Sequence, residues 1–208
     1  MSRRGLGLNC GSRLGMMRWR LMETRETFDL FGKRQKLLAI ISRASLLQGR
    51  EFRLTSGGSS NFFIDLKKTV LDPEGASLLA DLLFDKIKAE DVDCVGGMET
   101  GAIPIVAAVC MRSWPEKPIK GFFIRKAAKG HGTDQHVDGV LDRGSRVVLF
   151  EDVTTTGSSV MRAVDETRQF QCTILKVITV VDRLEGAAEN FRQAGIPFEA
   201  LFTRRDFS

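Results

Sequence analysis

Apolar and polar positions follow a regular alternation of two patterns from residue 91 to the end of the chain. Short, nearly unbroken apolar runs are separated by segments in which apolar residues recur at helical spacing. The apolar runs are VDCVGG, IKGFFIR, SRVVLFED, ILKVITVVD and FEALFT, and the helical segments are GAIPIVAAVCMRSW, SSVMRAVDETRQF and EGAAENFRQAG. Strands that are apolar on both faces are typical of a parallel sheet covered on both sides. The pattern predicts an α/β fold with a central parallel β-sheet flanked by helices.

The first part of the chain follows a different pattern. Helical spacing of apolar residues predicts a helix over residues 28–47. Two short apolar runs on either side of SGGSS predict a hairpin or sharp turn. A second helix is predicted after Asp72, a favourable N-cap residue, with Pro73 in its first position. Residues 126–143 are polar and rich in glycine, which predicts a long loop.

Composition indicates one domain with a basic extension. The chain has 208 residues, and 43% of them are hydrophobic, which suffices for a sizeable core. The net charge of +5 arises within residues 1–20, which hold five arginines and no acid, whereas the rest of the chain has 26 basic and 26 acidic residues. A nucleic-acid-binding domain usually carries its excess positive charge on the folded body. The body of this chain is neutral, so no nucleic-acid partner is expected. Residues 1–24 are interpreted as disordered or as preceding the true start, with a mitochondrial transit peptide as the alternative.

Cysteine and histidine positions limit the cellular location and the metals. The cysteines are not in CxxC spacing, and most fall in apolar segments, which favours reduced core thiols and a cytoplasmic protein. His131 and His136 have no cysteine close by, so a zinc site is not expected. No apolar run approaches the roughly 20 residues of a membrane-spanning helix, so no membrane partner is expected.

Three polar segments follow predicted strands. METG comes after the first strand of the sheet, RKAAKGHG after the second and EDVTTTGSS after the third. Because ligands of open α/β sheets bind at the carboxyl ends of the strands, these segments are expected to lie on one edge of the molecule.

The segment EDVTTTGSS has the chemistry of a sugar-phosphate site. A turn from a strand into a helix exposes backbone N–H groups, and Gly157 and the neighbouring hydroxyls complete a cradle for a phosphate. Glu151 and Asp152 would repel that phosphate, but they can accept hydrogen bonds from sugar hydroxyls or bind magnesium. A capped turn needs one hydroxyl and explains neither acid, and the GK[ST] of a nucleotide P-loop is missing. The combination predicts a ribose 5-phosphate site.

The same segment resembles the phosphoribosyl-diphosphate motif of type I phosphoribosyltransferases. The resemblance implies that Glu151 and Asp152 bind the ribose hydroxyls and that residues 154–159 hold the 5′-phosphate. It also implies a fold in which a small N-terminal hood covers the sheet domain. On this basis residues 25–208 form one phosphoribosyltransferase domain, with the hood at about 25–70 and the core at about 71–208.

Three further segments resemble the orotate phosphoribosyltransferase family. RKAAKGHG is similar to its mobile catalytic loop, FRLTSGGSSNFFIDLKK to its hood segment, and VVDRLEGAAENFRQAGI to the segment with an orotate-binding arginine. Taken alone, these segments could also be a solvated basic loop, core aromatic residues and a structural ion pair. The chain departs from many members at Thr55 and at Thr100-Gly101, where a lysine is common, so pyrophosphate binding must depend on backbone amides or on Lys67. It also has no tyrosine, and Phe63 stands where the hood often has one.

The resemblance implies roles for individual residues. The residues implied to bind 5-phosphoribosyl 1-diphosphate are Lys67, Arg125, Lys126, Lys129, His131, Glu151, Asp152, Val153, Thr154, Thr155, Thr156, Gly157, Ser158 and Ser159. The catalytic residues implied are Arg125, Lys129, His131 and Asp152. Those implied to bind orotate are Phe62, Phe63, Thr155 and Arg183, while Ser56 and Gly57 match the turn of the hood.

The implied reaction is the transfer of ribose 5-phosphate from 5-phosphoribosyl 1-diphosphate to orotate, giving orotidine 5′-monophosphate and pyrophosphate in UMP biosynthesis. The implied cofactor is Mg²⁺, bound mainly through substrate oxygens without a dedicated protein cage. A homodimer is implied, with the loop reaching across the interface. The alternatives are a phosphoribosyltransferase for another base and a regulator that senses phosphoribosyl diphosphate and binds nucleic acid. The neutral body and the basic loop argue against the regulator.

Overall fold

The computed structural model describes the backbone of residues 11–53, 59–127 and 136–207, and the side chains of residues 28–47, 62–127 and 136–207. The helices are α1 (Gly11–Ala44), α2 (Lys67–Val70), α3 (Pro73–Ile87), α4 (Ala102–Ser113), α5 (Ser158–Gln169) and α6 (Ala187–Gln193), with a 3-10 turn at Arg204–Phe207. The strands are β1 (Leu46–Arg53), β2 (Ser59–Ile64), β3 (Cys94–Gly97), β4 (Lys120–Ile124), β5 (Val137–Gly139), β6 (Arg146–Thr154), β7 (Thr173–Asp182) and β8 (Phe198–Thr203).

A six-stranded sheet in the order β5-β4-β3-β6-β7-β8 forms the centre of the molecule. The neighbouring pairs from β4 to β8 are parallel, and β5 at the edge is antiparallel to β4. This confirms the predicted parallel sheet. Because the strand order reverses beside β3 and β6, the carboxyl ends of these two central strands border a crevice, the usual ligand site of such sheets.

Both faces of the sheet are covered, as the unbroken apolar strands predicted. Along β6, Val148 and Phe150 pack against the cluster that includes α3 and α4, whereas Val147 and Leu149 pack against the cluster that includes α5 and α6. All four residues are fully buried. The two clusters fix the central strand from both sides and hold its carboxyl end in place.

The hairpin and the second helix are also confirmed. Strands β1 and β2 pair antiparallel, with Leu46 opposite Ile64, and the turn between them, including Ser56 and Gly57, lies outside the described residues. Helix α3 begins after Asp72, whose Oδ1 accepts a hydrogen bond of 2.9 Å from the backbone N–H of Gly75. The N-cap therefore has the role that the sequence predicted.

Several boundaries differ from the predicted ones. Helix α1 starts at Gly11 rather than at residue 28, and residues 11–27 contain no proline that would interrupt helical hydrogen bonding. Its end comes before residue 47, because Ser45 is held by tertiary contacts: its carbonyl accepts from the N–H of Asp65 at 2.9 Å, and its hydroxyl lies 2.7 Å from that of Thr69. Where a loop was predicted over 126–143, β5 forms, and α2 was not predicted. The division at residue 24 stays a prediction.

The described residues include no helix long and apolar enough to cross a membrane. Cys94 and Cys172 are buried free thiols, and Cys110 is a half-buried one.

Candidate active site

Three segments that follow β3, β4 and β6 come together at the carboxyl edge of the sheet. A cavity of about 390 Å³ lies between them. Its lining residues are Lys67, Met98, Glu99, Thr100, Gly101, Lys126, Glu151, Asp152 and Ser159. The convergence predicted for METG, the start of the basic segment and the acidic turn is thus present in the structure.

A second, much smaller pocket of about 30 Å³ adjoins the cavity. Its lining residues are Glu151, Val153, Thr154, Thr155, Gly157, Ser158, Ser159 and Val160. The two spaces share Glu151 and Ser159. A small polar pocket beside a larger polar cavity suits a ligand with a phosphate at one end and further polar groups at the other.

The small pocket is built by the start of α5. Gly157 has φ +83°, a left-handed conformation that glycine adopts without strain. A Cβ atom at this position would lie 2.8 Å from the ring of Phe191, so the site also has no room for a side chain. No described side chain caps the start of α5, which leaves the first N–H groups of the helix directed at the pocket. These groups and the helix dipole favour an anion.

Helix α6 supports the turn from the opposite side. The side-chain amide of Asn190 donates a hydrogen bond of 2.8 Å to the carbonyl oxygen of Thr156. Inside the turn, the hydroxyl of Thr154 donates a hydrogen bond of 2.9 Å to that of Thr179 on β7. The phosphate-sized pocket is therefore held by two neighbouring elements of the fold.

The two acids at the end of β6 are in unusual environments. Oε2 of Glu151 is buried and has no hydrogen-bond partner among the described residues. The pKa of Glu151 is raised to about 8, mainly by burial and also by the charge of Asp152, while Lys126 opposes the change. Burial also raises the pKa of Asp152, against the opposing effects of the Val153 N–H and of Lys67. The N–H of Val153 donates to Oδ1 of Asp152 at 2.8 Å.

The loop after β3 approaches Asp152 closely. A Cβ atom at position 101 would lie 2.4 Å from Cγ of Asp152, so Gly101 is required for this approach. The peptide bond between Glu99 and Thr100 is cis. Thr100 and Gly101 line the cavity, so this loop borders it beside the acid pair.

The predicted cations differ in their positions. Lys67 lines the cavity, and its Nζ lies 2.7 Å from Oδ1 of Asp65, which raises the pKa of Lys67. Lys126 also lines the cavity, but Arg125 does not line either space. The guanidinium of Arg125 instead forms an ion pair with Asp138 on β5. Lys129 and His131 lie outside the described residues.

The residues predicted to bind orotate line neither space, except for Thr155. Arg183 is buried, and its Nη2 lies 2.8 Å from Oε1 of Glu185. Phe62 belongs to the hydrophobic core, 6.2 Å from the ring of Phe207, whereas Phe63 is 36% exposed. The ion pair and the core packing are the structural alternatives noted for Arg183 and Phe62, and the orotate-binding roles stay predictions.

A metal ion would need the acid pair as its protein contact. Among the described residues, no group of three or more His, Cys, Asp or Glu side chains is placed to hold a metal ion. The buried Oε2 of Glu151 nevertheless fits a partner that none of the described residues supplies, such as a sugar hydroxyl or a cation bound to a substrate.

Sequence reasoning placed METG at this edge by its position after a strand, but it gave no role to Met98 or Glu99, which line the cavity. It missed Asn190, which supports the phosphate-sized pocket, and Arg162, which contacts the backbone of Lys126. For Asn190 and Arg162, which lie within helical segments, no local pattern indicates a role.

The fold and this edge of the sheet define a type I phosphoribosyltransferase. No family model matches the chain. A curated orotate phosphoribosyltransferase of a Bradyrhizobium species is 46% identical over 179 residues, covering 84% of this chain and 96% of the relative. The chain therefore belongs to the orotate phosphoribosyltransferase family.

Solved structures agree with this assignment. The orotate phosphoribosyltransferase of Mycobacterium tuberculosis in complex with Fe(III) dicitrate has a TM-score of 0.75 at 31% identity, covering 85% of this chain and 99% of that one. The same enzyme in complex with 5-phospho-α-D-ribosyl 1-diphosphate has a TM-score of 0.71 at 28% identity, with coverages of 84% and 98%.

Proposed function

We propose that this protein transfers ribose 5-phosphate from 5-phosphoribosyl 1-diphosphate to orotate, forming orotidine 5′-monophosphate and pyrophosphate. The observation that carries the proposal is the pair of adjoining spaces that share Glu151 and Ser159 at the carboxyl edge of the sheet. Family membership supports orotate as the acceptor, and the complex of the mycobacterial relative supports the phosphoribosyl donor.

The donor fits the two spaces in one orientation. Its 5′-phosphate occupies the small pocket at the start of α5, where N–H groups and hydroxyls from Thr155 to Ser159 bind it. Glu151 and Asp152 accept hydrogen bonds from the ribose hydroxyls, which gives the buried Oε2 of Glu151 its partner. The pyrophosphate then lies in the larger cavity, near Lys67, Lys126 and the backbone of the Thr100-Gly101 loop.

This arrangement stabilises the departing pyrophosphate. As the bond from the anomeric carbon to the pyrophosphate lengthens, negative charge grows on the leaving group and positive charge on the sugar. Lys67 and Lys126 line the cavity where the negative charge develops, and Asp152 lines the same cavity, where it would accept from the ribose hydroxyls. Lys129 and His131 are proposed to add further contacts to the pyrophosphate, and Arg125 to orient this segment through its pair with Asp138.

Magnesium is proposed as the cofactor. It would be held mainly by oxygens of the bound donor, with Glu151 and Asp152 as the nearest protein groups, and when bound it supplies positive charge to the leaving group. Orotate is proposed to lie near Phe63, Thr155 and Arg183. Its binding by Arg183 requires that the guanidinium exchange Glu185 for the orotate carboxylate.

The test is consumption of orotate, followed by its ultraviolet absorbance, with purified protein, 5-phosphoribosyl 1-diphosphate and Mg²⁺. Wild-type protein should consume orotate and form equal amounts of pyrophosphate and orotidine 5′-monophosphate. Lys67→Ala should lower kcat/KM by roughly tenfold or more, because a cation is lost where negative charge develops. Lys68→Ala, which changes the exposed neighbouring lysine, is the matched control. If the wild type binds the donor but leaves orotate unchanged, the acceptor is a different base.

We also propose that the protein is a homodimer in which the basic segment after β4 reaches the partner's site. A groove of about 370 Å³ between α3 and α4 supports this, since it is lined mainly by Pro73, small residues and Met111, whose side chain is 79% exposed. The substitution Met111→Glu should convert the dimer to a monomer in light scattering after size-exclusion chromatography. An unchanged mass would place the interface elsewhere, and a monomeric wild type would contradict the dimer.

A further inference from the structure

Lys126 is held in place through its backbone. Its N–H donates a hydrogen bond of 2.7 Å to Oε1 of Glu99. Its carbonyl oxygen accepts a hydrogen bond of 2.7 Å from Nη2 of Arg162. Both backbone groups of one residue are thus bound by charged side chains, and such charge-assisted hydrogen bonds are stronger than neutral ones.

The two side chains come from different parts of the site. Glu99 belongs to the loop after β3, and its own N–H donates to the carbonyl of Ile124 at 2.9 Å, so it contacts the chain on both sides of Arg125. Arg162 lies on α5, one helical turn after Ser158. The helix that builds the phosphate-sized pocket therefore also holds Lys126.

The held residue is the one whose side chain enters the cavity. Lys126 lines the cavity of about 390 Å³ together with Glu151 and Asp152, whereas its neighbour Arg125 is paired with Asp138 away from it. A lysine side chain is long and flexible, so its position depends on where the backbone is fixed. With both backbone groups bound, the side chain of Lys126 extends from a fixed backbone position beside the cavity.

We infer that Glu99 and Arg162 are positioning residues that set the backbone of Lys126 so that its ammonium group meets the leaving pyrophosphate. The inference rests on the proposed function, in which Lys126 stabilises that group. It assigns to Glu99 the role of a hydrogen-bond acceptor for the protein backbone, although its carboxylate borders the cavity. Loss of either contact should leave Lys126 in the chain but misplace its charge.

A misplaced charge should act on the chemical step more than on the binding of orotate. Arg162→Ala and Glu99→Ala should each lower kcat by about tenfold and change KM for orotate by less than about twofold. Glu99→Gln should retain most of the activity, because its amide oxygen still accepts from the N–H of Lys126. The double variant should lose less than the product of the two single losses, since both contacts act through one residue.

The experiment compares these variants with Arg168→Ala, an exposed arginine on the same helix. Steady-state kinetics gives kcat and KM, and thermal unfolding checks that each variant is folded. Hydrogen exchange of the peptide that contains Lys126, measured by mass spectrometry, reports its N–H without any need for turnover. Glu99→Ala should speed this exchange severalfold, and Arg168→Ala should leave exchange and kcat unchanged.

The outcomes separate the possible explanations. Wild-type kcat in both alanine variants, with unchanged exchange, would overturn the inference. A loss in Glu99→Gln as large as in Glu99→Ala would also overturn it, because the charge of Glu99 would then act on the substrate itself. If the wild type consumes no orotate, the proposed function has failed. The inferred role at the active site then fails with it, while faster exchange in Glu99→Ala would still establish the backbone contact.

Discussion

The buried carboxyl of Glu151 links the stability of the protein to pH. Burial raises its pKa from 4.5 to about 8, so between these values the folded state holds a proton that the unfolded state has released. The stabilising contribution is complete below about pH 4.5 and is lost as the pH rises through 8. At about 1.4 kcal/mol for each pKa unit, a pKa raised from 4.5 to about 8 corresponds to a total change of the order of 5 kcal/mol.

Replacement of Glu151 by glutamine should remove this dependence. Glu151→Gln and the wild type should unfold at similar temperatures at pH 5, and the variant should be the more stable one at pH 8, without ligands. Thermal unfolding at several pH values measures the difference. Asp152 and Lys126, the charged groups that influence Glu151, remain in both proteins. A difference that is the same at pH 5 and pH 8 would contradict the assignment of the proton to Glu151.

Gly157 is required for two separable reasons. Its backbone has a positive φ, and the ring of Phe191 leaves no space for a side chain. Gly157→Ala should destabilise the fold by about 2–3 kcal/mol and weaken binding of the phosphoribosyl donor, because the new methyl group meets Phe191. Gly144→Ala is the matched control, since Gly144 has φ +77° and open space where its Cβ would be. It should cost about 1 kcal/mol and leave donor binding intact. Thermal unfolding measures the stability of each variant, and calorimetric titration measures its affinity for the donor. If both variants weaken donor binding equally, the contact with Phe191 does not have the proposed role.

At the scale of elements, α6 supports the phosphate-sized pocket although it does not line it. Asn190→Ala removes the hydrogen bond to the carbonyl of Thr156 and should weaken donor binding by roughly three- to tenfold, as expected for one hydrogen bond. Gln193→Ala, on the same helix, removes a contact with Glu189 and should have no such effect. Calorimetric titration with the donor measures this, and unchanged affinity in Asn190→Ala would show that the turn holds its shape alone.

The sequence predicted those elements whose own residues determine them. Helix α3 follows from the Asp72 cap and its apolar stripe, and the sheet strands follow from their unbroken apolar runs. Strand β5 has only three residues, which is too short to show an alternation of apolar and polar positions. It forms because Gly139, at φ +100°, lets the chain approach β4 and because Asp138 pairs with Arg125. Contacts of this kind depend on the folded partner, so local patterns do not contain them.

At the scale of the whole molecule, the sequence pattern predicts one part of the site, whereas the other part depends on contacts made in the folded protein. The sheet topology brings the strand ends together, so the positions of Glu151, Asp152 and Lys126 were predictable from the order of strands and helices. The contacts that support the site were not predictable from the sequence. Glu99 and Arg162 bind backbone groups, which carry no sequence signal, and the pairing of Arg183 with Glu185 competes with the role that its position suggested.

The N-terminal helix joins the two ends of the described chain. Arg34 donates a hydrogen bond of 3.1 Å to the carbonyl of Leu201, lies 2.8 Å from Oδ1 of Asp206 and stacks 4.6 Å from the ring centre of Phe202. On the same helix, Leu37 is fully buried in the main core cluster. The part of α1 that stabilises the domain therefore includes Arg34 and the residues that follow it.

Removal of residues 1–24 should consequently leave a stable and active protein, although it shortens α1. We expect a melting temperature within about 2 °C of the wild type and unchanged orotate consumption, because Arg34 and Leu37 keep their contacts.

Arg34→Ala in the full-length chain should instead lower the free energy of unfolding by about 1 kcal/mol, since it loses an ion pair, a carbonyl contact and a cation–π contact. Thermal unfolding measures the first change, and chemical denaturation of both proteins compares their free energies of unfolding. A truncated protein less stable than Arg34→Ala would show that the first part of α1 packs on the domain, and the boundary at residue 24 would then be wrong.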